Sequence, residues 1–204
     1  MSSFIINLII NIMEFQKIQV TKQGTLNVTY KNGDGDIIQF TGANIVHKDL
    51  KDAMAAIIPH LALITEQREA YKTTLTKLRD QRITDDTDNI YKRLTVDSLS
   101  FGNGEQRVSI TGCRILTKTG VISISTPSID LEDSEAYDYQ NDLSLDLDAV
   151  KYEAKEYIEQ RKWGVKQSEI DFRDIDPYKV EAGDVPEAEA DAPKKRGRKS
   201  KKVA

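Results

Sequence analysis

A single cysteine, Cys113, serves the whole 204-residue chain, so no internal disulfide can form and a reducing compartment is the expected setting. Histidine is almost as scarce. His47 and His60 stand thirteen positions apart, which on an ideal helix turns them about 140° from one another. No carboxylate lies at a ligand interval from them, so no metal pair is expected and both read as structural or surface residues. Long apolar runs are missing too. The stretch Phe4–Met13 is broken by Asn7 and Asn11 and falls well short of the ~20 residues that cross a bilayer, so no membrane partner is expected. It also lacks the basic flank and small-residue cleavage site of a secretory leader. Residues 1–13 therefore read as an over-extended start, with Met13 opening the chain proper, or else as a short docking segment.

Signatures of catalysis are equally absent. Gly33-Asp34-Gly35 has neither the lysine-serine pair nor the helix context of a phosphate loop, and zinc-protease, nucleophile-elbow and kinase motifs are missing. A non-enzymatic protein without cofactor or metal is the expectation.

What is present suits a folded body. Hydrophobic residues at 39% against 30% charged ones are enough for a core, and a body of about 150 residues needs no disulfide or metal to fold. Charge is unevenly placed. From Pro193 onward there are seven basic residues and no acidic one, whereas residues 1–192 carry 22 basic against 33 acidic. An acidic body with a basic end points to a polyanionic partner met first by that end.

Residues 14–41 alternate apolar and polar at Ile18/Val20, Leu26/Val28/Tyr30 and Ile38/Phe40, the period of two of half-buried strands, with turns at Gly24 and at Asn32-Gly33-Asp34-Gly35. Leu50, Met54, Ile57, Leu61 and Ile64 then form one helical stripe, and Pro59 inside it predicts a kink or a second helix starting there. Tyr71, Leu75 and Leu78 extend that spacing through a threonine-rich stretch, and residues 81–89 read as a loop. Leu94/Val96, Val108/Ile110 and Val121/Ile122/Ile124 anchor a second strand group, turning at Gly102-Asn103-Gly104 and at residues 117–120, and closed by Thr126-Pro127. An acidic connector over 128–140 leads to a helix with Leu143, Leu147, Val150, Ala154 and Tyr157/Ile158 on one face, Asn141 or Asp142 as candidate cap, and an end near Trp163-Gly164. Two antiparallel strand groups, each followed by helix, define an α+β domain over 14–175. Beyond it, 176–204 is acidic, then basic, with no apolar period, and is expected to be disordered.

Isolated residues resolve to ordinary roles. Cys113 lies in a strand beside Gly112 and has no base at hand in the sequence, so it reads as a sheet or core cysteine. Asp34 and Asp36, and Asp85, Asp86 and Asp88, lack the spacing and closing glutamate of a calcium loop and read as turn residues. Phe15, Tyr30, Phe40, Tyr91 and Phe101 lie on or beside strands. They could stack bases on an open sheet face, but strands this poor in lysine and arginine favour core packing.

The sharpest signal is the end of the chain. Lys194, Lys195, Arg196, Gly197, Arg198, Lys199, Lys201 and Lys202 form a candidate nucleic-acid contact. Arg196-Gly197-Arg198 resembles the core of an AT-hook, whose Arg-Gly-Arg lies in the narrow minor groove of A·T-rich DNA while flanking cations neutralise phosphates. Lys195 and Lys199 stand where that family carries proline, so the resemblance implies phosphate attraction rather than a set base preference. A solubilising tail, or an import signal in a eukaryote, is the ordinary reading of the same residues.

His47-Lys48-Asp49-Leu50 with Pro59-His60-Leu61, Ile110-Thr111-Gly112, Thr126-Pro127, and Tyr152-Glu153-Ala154 with Tyr157-Ile158 together resemble a family of uncharacterised proteins encoded by tailed bacteriophages of gut bacteria. The resemblance covers most of 14–165 and implies a phage setting in the bacterial cytoplasm, where nuclear import has no place. The expectation is a phage accessory protein that associates with DNA through its tail, its domain binding a protein partner or a second copy of itself. The alternative is an assembly module of a virus particle with a merely solubilising tail.

Overall fold

The structure is a computed structural model that describes residues 13–84, 89–133, 135 and 137–164. All of these fall within the first of two units, Met1–Lys166 and Gln167–Ala204. The N-terminal apolar segment before Met13, the Asp85/Asp86/Asp88 loop and the whole acidic-then-basic tail lie outside the described residues.

The first strand group is β1 (Glu14–Val20), β2 (Thr25–Lys31) and β3 (Ile37–Ile45). The apolar alternation that predicts these strands also sets their burial: Leu26, Val28 and Tyr30 are buried while their neighbours are only partly so. The β2–β3 turn uses its asparagine as a brace, Asn32 Oδ1 accepting the backbone N–H of Asp34 at 3.1 Å and of Asp36 at 2.8 Å. Gly35 there has φ +93°, which a side chain would strain.

The helical stripe divides at Pro59. α1 (Lys48–Ala56) begins at His47, whose Nδ1 accepts the Asp49 N–H at 3.3 Å, and α2 (Ile58–Ile64) starts at once with proline in its first turn, where the missing N–H costs no hydrogen bond. The helix does not continue through Tyr71. A 3₁₀ turn at Arg68–Ala70 precedes α3 (Leu75–Asp80), whose Leu75 and Leu78 are buried while Tyr71 is exposed. A second 3₁₀ turn, Gln81–Ile83, starts the stretch read as loop, and Asn89 caps the single turn α4 (Ile90–Arg93) through its Oδ1 to the Tyr91 N–H, 2.9 Å.

The second group is β4 (Leu94–Gly102), β5 (Arg107–Leu116) and β6 (Gly120–Ser125). A two-residue β7 (Ile129–Asp130), hidden in the acidic connector, returns to pair with Arg107 and Val108 of β5. α5 (Gln140–Glu159) buries the five apolar positions expected of it. Its N-cap is Tyr139, without a side-chain hydrogen bond, rather than Asn141 or Asp142.

Both strand groups belong to one antiparallel sheet, ordered β3-β2-β1-β4-β5-β6 with β7 beside β5. The join is β1 against β4, pairing Lys17 with Ser100, Ile18 with Leu99 and Gln19 with Ser98. Irregularities in register at Phe15/Lys17 and at Val96/Ser98 let residues three apart, Phe15 and Ile18, or Val96 and Leu99, share the buried face. Cross-strand pairing aligns Phe40, Val28, Ile18, Leu99 and Ile110 in one row of that face, which the helices cover. The opposite face carries the row Thr41, Asn27, Gln19, Ser98, Thr111 and Ser125, polar and uncharged throughout. A sheet with one covered face reads as alternation, and this one does.

Two contacts set how closely the helices approach. A Cβ on Gly112 would collide with the Thr95 carbonyl and with Leu61 of α2, so only glycine fits there. At the far end, Tyr157 of α5 donates to the Asn44 carbonyl at 2.5 Å and meets Phe40 edge-on at 6.1 Å.

Candidate functional site

The candidate nucleic-acid residues Lys194–Lys202 lie outside the described residues, so the structured part must be judged on its own polar groups. Most of those singled out in the sequence take local roles. His47 caps α1. Asp34 and Asp36 sit in an exposed turn built around Asn32. Phe15, Tyr30 and Phe101 are buried, and Phe40 and Tyr91 pack against the same core, so these aromatics belong to the helix-covered face and not to an open one. Cys113 donates to Asp97 Oδ2 at 3.0 Å. That hydrogen bond to a carboxylate, and then burial, push its thiol above the ordinary value, the opposite of what a thiolate nucleophile needs.

His60 has a larger part. It is fully buried, and both ring nitrogens are engaged: Nδ1 with the Tyr137 hydroxyl at 2.9 Å and Nε2 with Asp146 Oδ2 at 3.1 Å. Burial, followed by the neighbouring Tyr139, pushes the Tyr137 phenol far above its usual range, so it keeps its proton and serves as donor. One tautomer satisfies both contacts, with Tyr137 donating to Nδ1 and the Nε2 N–H donating to Asp146. Arg79 of α3 closes the group from the other side, reaching Asp146 and Asp142 at 2.9 Å each. Burial works to raise the Asp146 pKa, but the hydrogen bonds from His60 and Arg79 outweigh it and hold the carboxyl below its usual range. α2, α3, α5 and the segment before α5 are thus tied by a knot whose members face one another. Both nitrogens of His60 are turned toward protein partners, so the knot fastens these segments to one another.

A second polar group lies where the helical layer meets the ends of β5 and α4. Arg114 makes a bidentate pair with Glu69, its two terminal nitrogens at 2.9 and 2.8 Å from Oε2 and Oε1, and also donates to Gln67 Oε1. Gln67 is itself held by the Thr65 carbonyl and hydroxyl at 3.1 and 2.9 Å. The pair is largely buried, the side chains only 16% and 9% exposed. Burial opposes the charge on Glu69, yet the Arg114 hydrogen bonds prevail and keep its carboxyl below the usual range. In front of the pair opens a cavity of about 500 Å³ lined by Arg68, Glu69, Gln81, Arg93, Arg114 and Thr117. Arg93 donates to the Thr117 hydroxyl at 3.3 Å. Among the described residues, the charged groups of this lining are Arg68, Glu69, Arg93 and Arg114.

Sequence reasoning missed this group because Arg68, Arg93 and Arg114 come from three separated segments. Among the described residues no cluster of three metal-ligating side chains is present, and no helix is long and apolar enough to cross a membrane. Compared with known proteins, the chain matches no protein-family model, no curated protein and no solved structure.

Proposed function

We propose that the chain is a non-enzymatic, phage-encoded accessory protein that associates with DNA through Lys194–Lys202, in replication, recombination or packaging within the bacterial host cytoplasm. The observation that carries this reading is the charge division: seven cations and no anion after Pro193, against 22 basic and 33 acidic residues before it. An acidic domain repels a polyanion, so the tail is the element that makes the approach. The deep burial and full partnering of His60 support a scaffold role for the domain rather than a catalytic one.

The test is a salt titration of binding to labelled A·T-rich duplex, G·C-rich duplex and single strands, with the full chain and with a chain ending at Ala192. Seven phosphate contacts would give a slope near −6 in log affinity against log salt on duplex DNA, and truncation should remove it. Failure of the full chain to bind at low salt would sink the proposal.

One observation favours the second reading, an assembly module of a virus particle. β6 lies at one edge of the sheet, its segment GVISIS carries no charge, and Val121 and Ile122 are 62% and 45% exposed. Edges left this apolar invite pairing with another strand, in a protein partner or a second copy. On that reading the chain forms ordered homo-oligomers in light scattering and shows no salt-dependent DNA binding.

A further inference from the structure

The sheet ends in two edges of different character. The last residues of β3 are already engaged: Gly164 donates to the Ile45 carbonyl at 2.8 Å, Tyr157 to the Asn44 carbonyl, and Trp163 bridges to Val46. At β6 no described segment pairs with the outer side. Thr126 donates to the Ile110 carbonyl at 2.9 Å, and an antiparallel ladder alternates from there, so Ile124 and Ile122 bond inward to β5. The N–H and C=O groups of Val121, Ser123 and Ser125 therefore point outward, three evenly spaced residues centred on Ser123. Nothing blunts this edge, since no charge, proline or bulge interrupts residues 120–125.

Such an edge is complementary to itself. Turned about a two-fold axis at Ser123, it sets Ser123 against its own copy, Val121 against Ser125 and Ile122 against Ile124. Every outward group of the strand is then used. On the helix side, Ile122, 45% exposed, and Ile124, which packs on the core, meet their counterparts and carry the core across the seam. Charge agrees with this direction. The exposed Lys118 turn comes opposite Ser128 of the second copy and runs toward its Asp130, Glu132 and Asp133. Pro127, with no N–H to leave unpaired, ends the match.

We propose that two copies of this chain join at β6, strand against strand, antiparallel about a two-fold axis at Ser123, into one continuous sheet. The proposal rests on the reading of β6 as a pairing edge and names its occupant. A six-residue strand is a small contact beside the ~1,200–2,000 Å² of stable interfaces, so the dimer forms and dissociates with concentration.

The test is sedimentation velocity of the full chain over a concentration series from micromolar to near-millimolar. The expected result is a monomer–dimer equilibrium that stops at the dimer. Combining Val121→Lys with Ile122→Lys, both at exposed positions, should weaken it about ten-fold or more without altering the circular dichroism spectrum. Should that variant unfold, cross-linking decides. Ser123→Cys is made with Cys113→Ser, because Cys113 is its neighbour across β5 and β6. It should give a disulfide-linked dimer on mild oxidation, and Gln39→Cys, exposed on β3, should not. Dimers indifferent to the lysines, cross-linking at Gln39 rather than Ser123, or growth past the dimer would each overturn the proposal and leave the assembly reading standing. A chain that stays monomeric throughout would remove both.

Discussion

The knot around His60 and the Arg114–Glu69 pair use the same chemistry in two settings. In the knot, Arg79 meets two carboxylates, His60 meets a carboxylate and a phenol, and each is within 3.1 Å of its partner. At the cavity Arg114 meets Glu69 in a bidentate pair at 2.9 and 2.8 Å. The first arrangement fastens α2, α3 and α5 to one another beside the apolar surface that they bury. The second pairs one guanidinium with one carboxylate, braced by Gln67. An arginine–carboxylate contact is therefore not informative by itself.

That contrast can be broken by experiment. The largest expected effect is at Asp146. Replacing it with alanine leaves the buried Nε2 of His60 unpaired and strips Arg79 of one partner, and should cost about 2–4 kcal/mol of unfolding free energy in urea titrations. A loss below about 0.5 kcal/mol, the level of ordinary surface changes, would mean the knot is ornamental. Glu69→Gln sharpens the comparison from the other side. It should destabilise by only about 1–2 kcal/mol in the same urea titrations, because Gln67 Oε1 still accepts from Arg114. A loss as large as that of Asp146→Ala would show that the two groups fasten the fold equally.

The smallest effect concerns acid. The folded Asp146 carboxyl titrates below its ordinary value of 3.8, so the stability it contributes is fully present above that value and is lost as pH falls through the folded one. Asp146→Asn removes this dependence. The variant should begin less stable at neutral pH and lose less than the wild type on going below pH ~4. Parallel acid limbs for the two proteins would argue that the Asp146 charge is not held by the knot.

Much of the fold was legible because its signals are local. Alternation at Leu26/Val28/Tyr30 is written within one strand, and Pro59 marks the division of α1 from α2 by its own covalent structure. Pairings between distant segments leave no such mark. Nothing near Ile18 announces Leu99, and β7 is too short to carry a period. The bulges at Gln16 and Asp97 shift the buried face by one position, which a strict period of two cannot register. The polar groups follow the same rule. His60 and Asp146 lie 86 residues apart, and Arg114 lies 45 from Glu69. One trace was readable: Asp142 and Asp146, four apart on α5, flank the apolar stripe of Leu143 and Leu147, a placement that asks for a cationic partner on the neighbouring helix.

The seam between β1 and β4 also bears on how the chain reaches this state. β1–β3 and β4–β6 each close through short turns, so either group can form from contacts near in sequence. Joining Ile18 to Leu99 requires closing a loop of about eighty residues, with its larger entropic cost. The rate of folding is then governed at the middle of the sheet rather than at its turns. Until that closure occurs, the two inner strands that end up best protected are themselves unpaired edges.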